Sequence, residues 1–552
     1  MMATQRIQLT EWLPDQPGIS GALTDAKNVV SQAIGYGPFP SATSFSQNAA
    51  ENLVALYGAR QPDGDTKLFV AGTTKLYTCS GAGVMTDVSN FTGTYSQSGS
   101  TTLTVTSVGH KLKTGDSVYL DFTSGTATDG TFSVTYVDAD TFTVTTTSAT
   151  TSGNVTIKVS ATDYTTPDGS RFRFTQFGLS IIATNNSQRL QRWTLGSSTK
   201  FHNLSDSAPI AKFITVVRDF VVVANTKESG EQKQYRVRWS ALNDENDWVE
   251  NVNTQSDYQD IPDGGQIVGI RGGEFGLILL ERAIHRMSYV GTPFIFQFDN
   301  ISRNKGCIAS GSIAQYQGIT FFLSDDGFYM CDGQQVTPIG AEKVDRFFFA
   351  DASEFDFSSM SAAVDPIRKL VIWNYKGIDG NRHLIIYNFA TKKWTYADAG
   401  TDYLSEASTS AVTLDELDSL SASIDALAIS LDSVMFMGGK YFLGGTKGVN
   451  VYTYTGANLT GRISTGDLGG QGRSVMTLVR PQVDNGSADV AVSSRTLLSE
   501  QVLFGDTVAA SSENRVSLRS SGNYHRVQLN PTGDNWKNAS AIDVDIVPQG
   551  VR

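Results

Sequence analysis

KLVIWNYKGIDGNRHLIIYNFATKKWTYAD, Lys369 to Asp398, reads as three short strands joined by two turns. Val, Ile, Trp and Tyr fill the runs, while Gly, Asp and Asn break them, the composition of strands that fold back on one another. The phrase recurs. It appears as KLFVAG, KLYTCS and VMTDVS (Lys67 to Ser89), as LSIIAT, RLQRWTL and KFHNLS (Leu179 to Ser205), and as DFVVVAN, YRVRWSAL and DWVENV (Asp219 to Val252). Further copies are FGLILL, IHRMSYV and FIFQF (Phe275 to Phe298), ITFFLS, GFYMCDG and QQVTPIG (Ile319 to Gly340), and KYFLGGT, GVNVYTY and ANLTGRI (Lys440 to Ile463). Their middle-run aromatics, Tyr77, Trp193, Trp239, Tyr289, Tyr329, Tyr387 and Tyr452, recur at roughly 40 to 65 residues once one insertion is set aside, the period of propeller blades. A four-stranded blade cannot cover both faces alone, whereas radial packing of blades buries them. The reading is an all-β chain, a β-propeller of about six to seven blades, with an array of β-sandwiches as the rival arrangement.

Between Phe91 and Ser160 the composition shifts to Thr and Ser, with strict alternation in TTLTVTS, DSVYLDF, GTFSVTYV, DTFTVTT and NVTIKVS. Those short strands suffice for a small barrel inserted into the propeller, and GHKLKTGDSVYL resembles modules that decorate phage tail and fibre proteins. TLDELDSLSASIDALAISLDSVMF (Thr413 to Phe436) carries Leu414, Leu417, Ile424, Leu427 and Leu431 at helical spacing, behind a capping box of Thr413 and Glu416; an extended wrapping loop is the other reading. After Gly472 the strands SVMTLVRPQV, RTLLSEQVLF, NRVSLRS, HRVQLN and AIDVDIVP form a C-terminal β domain or closing sheet. Its Arg480, Arg495, Arg515, Arg519 and Arg526 serve either strand-edge solvation or an acidic partner. The domain expectation is therefore residues 1–60 as a leader and interface arm, 61–90 with 161–472 as propeller, 91–160 as an inserted small β-barrel or Ig-like domain, and 473–552 as the last.

Forty-three basic against fifty-five acidic residues leave a formal charge of −12. Such a balance argues against a broad phosphate-neutralising surface, since duplex affinity comes from Lys and Arg displacing counterions. Cys79, Cys307 and Cys331 lie far apart, without the paired spacing of zinc or redox sites, and read as reduced core residues. No run approaches a membrane span, and the N-terminus lacks an apolar signal core, so synthesis in a cytoplasm without anchoring is expected. The sequence holds no HExxH, no GxSxG and no GxxxxGK[ST], and its histidines, His110, His202, His285, His383 and His525, are scattered. Asp325, Asp326 and Asp332 precede glycines and read as hairpin-turn residues, with calcium binding as the alternative. Gly469, Gly470 and Gly472 read as a linker. The chain is thus expected to be no enzyme and to need no metal or cofactor.

The leader is not blade-like. EWLPDQPGISGALTDAKNVVSQAIGYGPFPS (Glu11 to Ser41) resembles the leader of tail nozzle and hub proteins of short-tailed bacteriophages, through Trp12, Pro14 and Asp15, then Ala26, Asn28 and Val29, then Gly35, Tyr36 and Pro38. Ser31 departs from the proline of that pattern. The phrases SALNDENDWVENVNTQSDYQDIPDGGQIVGI (Ser240 to Ile270) and TLDELDSLSASIDAL are also similar to that family, which includes the tail accessory factor of P22-like phages and the tail tubular protein of T7-like phages. The resemblance implies a structural virion protein of the tail: a homo-oligomeric, six-fold ring beneath a tail adaptor protein, carrying fibre or spike proteins and passing genomic DNA during ejection. Trp12, Leu13, Pro14, Tyr36 and Phe39 are then candidates for a subunit interface, because aromatics dominate such contacts; the same residues would otherwise cap the propeller. The competing functions are a carbohydrate-binding tail fibre protein and a propeller glycoside hydrolase or lyase.

Overall fold

The computed structural model describes residues 4–62, 64–161, 163–408, 423, 441–533 and 535–549. Apart from Ser423, the segment Thr413 to Phe436, read as helix or wrapping loop, lies outside the described residues. The architecture is nearly all β. Six four-stranded antiparallel sheets follow in chain order, and a further four-stranded unit forms one end of a larger sheet. We call these blades 1 to 7.

Two compact units divide the chain. Phe45–Cys307 with Ser405–Val451 holds blade 1 (Leu53–Arg60, Thr66–Gly72, Leu76–Cys79, Met85–Asp87) and blade 2 (Arg173–Phe177, Ser180–Thr184, Gln191–Thr194, His202–Asn203). It also holds blade 3 (Ile210–Val217, Phe220–Glu228, Glu231–Trp239, Asp257–Asp260) and blade 4 (Ile267–Arg271, Gly276–Leu280, Ile284–Gly291, Ile295–Ser302). The first strands of these consecutive blades lie against one another, blade 1 on 2, 2 on 3 and 3 on 4, which makes them the inner wall of the unit. Blade 3 shows why the sequence does this. Its second strand reads FVVVANTKE, and alternate residues feed two cores: Phe220, Val222 and Ala224 pack with Trp239, Ile278 and Leu280, whereas Val221 and Val223 pack with Ile182, Ile214 and Trp248. A strand buried on both faces is apolar at successive positions, and neighbouring blades supply the two covers.

The inserted module runs from Phe91 to Lys158. Phe91–Thr106 pairs along its length with Thr141–Lys158, and Ser117–Phe122, Gly130–Ser133 and Thr135–Tyr136 complete a five-stranded sheet. It encloses its own core, with Leu103, Val105, Leu120, Phe142 and Val144.

The second unit, Met1–Ser44, Ile308–Leu404 and Tyr452–Arg552, contains blade 5 (Ala314–Tyr316, Ile319–Ser324, Gly327–Cys331, Val336–Pro338) and blade 6 (Ser361–Asp365, Leu370–Lys376, Arg382–Asn388, Lys393–Ala397). Blade 6 continues into a 14-stranded sheet that includes the C-terminal strands Leu468–Asp484, Ser487–Arg495, Val516–Thr532 and Asn538–Pro548. The leader is woven into it. Thr4–Gln8 pairs with Asn538–Pro548, and Asp25–Lys27 lies between Arg462–Ser464 and the last strand of blade 6. Blade 7, most of whose residues belong to the first unit, is made of Tyr403–Ser408, Tyr441–Lys447 and Asn450–Thr453, and its fourth strand is Thr43–Ser44 from the leader, in register Ser44 with Tyr452 and Thr43 with Thr453.

The structure corrects several expected elements. All seven middle-run aromatics fall on third strands, because each blade has an additional first strand, such as Leu53–Arg60 or Ile267–Arg271, ahead of the phrase read from sequence. DWVENV is turns and bridges, and the fourth strand of blade 3 is Asp257–Asp260. ANLTGRI does not close blade 7, since the leader does; only its Arg462–Ser464 continuation is a strand, in the C-terminal sheet. TLLSEQVLF lies outside any strand, whereas NRVSLRS and HRVQLN merge into the single strand Val516–Thr532. Gly469, Gly470 and Gly472 sit inside the strand Leu468–Asp484, all at positive φ, where the register slips between Gly469 and Ser474; glycine there makes a bulge rather than a linker. The helix Asp345–Asp351 was not anticipated.

Candidate functional site at the inner wall of blades 2 to 4

The three aromatics among the expected interface residues are packed within the chain. Trp12, Tyr36 and Phe39 are 1%, 0% and 0% exposed. Trp12 stacks on Tyr396 at 5.1 Å and meets Phe347 edge-on, its indole N–H donating to Thr24 O; the Tyr36 hydroxyl donates to Thr10 O at 2.7 Å; Phe39 packs on Tyr454. Leu13 and Pro14 are half-buried. Asp15 has a different task. Its carboxylate accepts the Arg346 and Phe347 N–H groups, both at 2.9 Å, capping the helix Asp345–Asp351 from a point far away in sequence.

Other sequence candidates also serve structure. Asp325 and Asp326 form the two-residue turn between Ser324 and Gly327, and the Asp332 carboxylate accepts the N–H groups of Gln334 and Gln335. His525 has Ser474 Oγ on one ring nitrogen at 2.9 Å and Ser494 Oγ on the other at 2.6 Å, both serines holding a fully buried ring. Arg495 and Arg526 both hold the Asp467 carboxylate, whose side chain is 2% exposed. Cys79, Cys307 and Cys331 are buried.

A site that sequence reading missed lies on the inner wall of the first unit. Arg173 begins the first strand of blade 2, Lys212 lies in that of blade 3, Arg271 ends that of blade 4, and Glu406 lies in that of blade 7. The Arg173 guanidinium stands 4.8 Å from the centroid of the Phe213 ring, and the Lys212 ammonium 5.7 Å from the same ring. Ser405 donates to Leu56 O at 2.9 Å, fixing the Glu406 strand against blade 1. These groups sense one another across the wall. Burial lowers Arg173, with Arg171 and Arg271 adding repulsion; burial lowers Arg271, with Glu406 opposing it. Glu406 has an exposed side chain, and the neighbouring protein pushes its carboxyl up to about 7, with Arg271 pulling it back. Tyr57 on blade 1 feels the same carboxylate.

A carboxyl that titrates near neutrality holds or gives up a proton at working pH, the property of a general acid. Among the described residues no second carboxylate acts on Glu406, whereas glycoside hydrolysis uses two. The only sequence signal for this site was LSEAS, a charged residue at an alternate position of an otherwise small, apolar run. Spacing could not identify it, because its companions come from blades separated by more than a hundred residues.

No protein-family model matches the sequence, and no curated protein matches it. Solved structures with some likeness include the endosialidase of phage phi92 (14% identity, TM-score 0.18), where the match covers 54% of this chain and 63% of that one. They include the WD40 domain of Toxoplasma gondii coronin (10% identity, TM-score 0.28, 66% and 82% covered). An exo-beta-1,3-galactanase from Phanerochaete chrysosporium is a third (10% identity, TM-score 0.24, 70% and 97% covered). At these scores the likenesses carry no functional argument. The expectation that the chain is no enzyme is nevertheless corrected: glycoside hydrolases stand among the matches, and enzyme activity is not excluded. The motif search behind that expectation was blind to carboxylates contributed by separate blades.

Proposed function

We propose that the chain is a virion protein of a short-tailed bacteriophage tail, forming a nozzle or hub ring that passes DNA and carries fibres or spikes beneath an adaptor protein. The supporting observation is that the fold uses the leader motif position by position. Ala26 is fully buried; Asn28 sits at φ 59° while its side chain accepts Asp398 N–H and donates to Thr460 O. Gly35 sits at φ 77°, where an added Cβ would come within 2.2 Å of Ala539 O. Trp12, Asp15 and Tyr36 act as described above. That so many positions of the motif carry a structural task supports reading it as the leader of that family.

A ring needs two different complementary patches on each subunit. With the leader aromatics buried, the neighbour's anchors are Phe355 and Ile378, 99% and 72% exposed. Their surroundings adjoin, since Ile378 N–H donates to Asp351 O and Ala352 bridges to Gly377. Electron microscopy of the purified chain with its adaptor protein tests the reading: six-fold rings are expected, and a Phe355→Ser, Ile378→Ser variant should leave monomers. A monomer that never assembles, at any concentration or with the adaptor, refutes it.

A second reading is a propeller glycoside hydrolase or lyase with Glu406 on the inner wall as its acid; the hydrolase form also needs a second carboxylate. Polysaccharide depolymerisation by the purified chain, lowered at least about 100-fold in Glu406→Gln, is its expected signature. Absence of cleavage across the host's surface polysaccharides removes it.

A further inference from the structure

The inserted module carries a cleft of about 430 Å³, lined by Lys111, Leu112, Lys113, Thr114, Tyr136 and Ala139. Two loops form its rims, and buried polar groups lock them together. His110 is fully buried; its Nδ1 accepts Leu112 N–H at 3.0 Å on one rim, which leaves Nε2 to donate to Asp138 O at 3.1 Å on the other. Thr114 Oγ accepts Tyr136 N–H at 2.9 Å, a second tie between the rims. The His110 ring lies against Phe142 of the module core and, at 6.1 Å, against Tyr136. A cleft held this way is preformed, so a ligand need not order it on binding.

Two exposed cations line it. Lys111 and Lys113 are exposed, and among the described residues neither ammonium pairs with a carboxylate. The nearby carboxylates are oriented by backbone N–H groups and not by the lysines: Asp116 accepts Lys113 N–H, Asp138 accepts Asp140 N–H, and Asp140 accepts Gly109 N–H. Both lysines also reach toward blade 2. There His202 is pushed down to about 4, chiefly by burial and then by Arg192, with Lys111 and Lys113 adding to the effect. Beside the cations stands an apolar face of Tyr136 and Val137, 46% and 54% exposed, with Leu112 and Ala139 lining the cleft. A flat exposed ring beside cations suits a ligand with a C–H face on one side and an anionic group on the other.

We infer that this cleft binds an acidic saccharide, with the sugar ring on Tyr136 and its carboxylate between Lys111 and Lys113. The site belongs to the inserted module and stands whether or not the chain forms a ring. Calorimetric titration of the full chain with trigalacturonate and with neutral galactotriose tests it. The acidic trimer is expected to bind at least about tenfold more tightly, and to lose that advantage as salt rises, because exposed charge pairs are screened. Lys111→Asn with Lys113→Gln should bring the acidic sugar to the affinity of the neutral one, asparagine being chosen because Lys111 sits at φ 57°. Tyr136→Ala should weaken both sugars. All three positions are exposed, so an unchanged unfolding midpoint separates lost binding from lost structure. Equal affinity for both sugars, no binding of either, or full affinity in the lysine variant overturns the inference. So does displacement of trigalacturonate by inorganic phosphate together with an unaffected Tyr136→Ala variant, which would make the cleft a phosphate site.

Discussion

Asp345→Asn should stabilise the protein at neutral pH and flatten its pH dependence. Asp345 opens the helix Asp345–Asp351 with only 9% of its surface exposed, and its Oδ1 accepts Phe328 N–H at 3.1 Å. The space around it is made by glycines: a Cβ on Gly327 would fall 2.1 Å from Oδ2, and one on Gly340 2.0 Å from Oδ1. Burial pushes this carboxyl up to about 7, the Phe328 bond opposes that, and the charges of Asp15 and Asp326 add to the rise. Folded, the group therefore holds its proton more tightly than unfolded. Its favourable contribution is complete below about pH 4, and it fades as pH rises through 7. Titrating at about 7 in the fold against about 4 in the unfolded chain would cost at most about 4 kcal/mol above pH 7, and residual solvent contact brings that to about 2 kcal/mol. Asparagine keeps the shape and the acceptor for Phe328 N–H but carries no charge. Urea unfolding at pH 4.5 and pH 8 is the assay. The wild type should lose more stability between those values than the variant does, and the variant should be the more stable at pH 8. Parallel losses in the two proteins would refute the reasoning, as would a less stable variant at pH 8.

Asp467→Ala should destabilise by about 3 kcal/mol, since it leaves Arg495 and Arg526 without the carboxylate they share; chemical denaturation measures it. Burial raises the Asp467 carboxyl, but the two arginines outweigh it and hold the carboxyl below its ordinary range, so this pair's contribution should disappear only as pH falls toward the acid limit. Trp12→Ala empties a site between Tyr396 and Phe347 and should cost about 3–5 kcal/mol, seen as a lower unfolding midpoint. Asp15→Ala removes the acceptor for two helix N–H groups and should cost about 1 kcal/mol, whereas Asp15→Asn should recover part of it.

Much of the propeller was legible because its second strands are apolar on both faces, its third strands carry a recurring aromatic, and both end in turns. Phe220–Glu228 announces itself in the first way and Glu231–Trp239, through Trp239, in the second. The first strands were harder to see: Lys212, Arg271 and Glu406 interrupt them with charge, and the repeated phrase does not include them. The closing strand was invisible for another reason. Thr43–Ser44 has two residues and no apolar pattern, and it is a strand only because Tyr452 and Thr453 offer it an edge. The inner-wall site shares this difficulty, its groups being brought together by topology and not by spacing. Trp12, Tyr36 and Phe39 looked like adhesive surface in a Pro- and Gly-rich segment, yet a segment without a core of its own can borrow one, and this leader borrows that of the C-terminal sheet.

The strand that completes blade 7 is synthesised before any blade, and its partner Thr453 follows Thr43 by 410 positions. Loop-closure entropy grows only logarithmically with such a span, so the finished fold bears little extra cost. The nascent chain is in a different position. Until Tyr452 and Thr453 emerge, the early segment has no edge to join, and blade 7 has no outer strand. Blade 7 can therefore be completed only after Thr453 has emerged, whereas blades 1 to 4 already have the residues of their own cores by then.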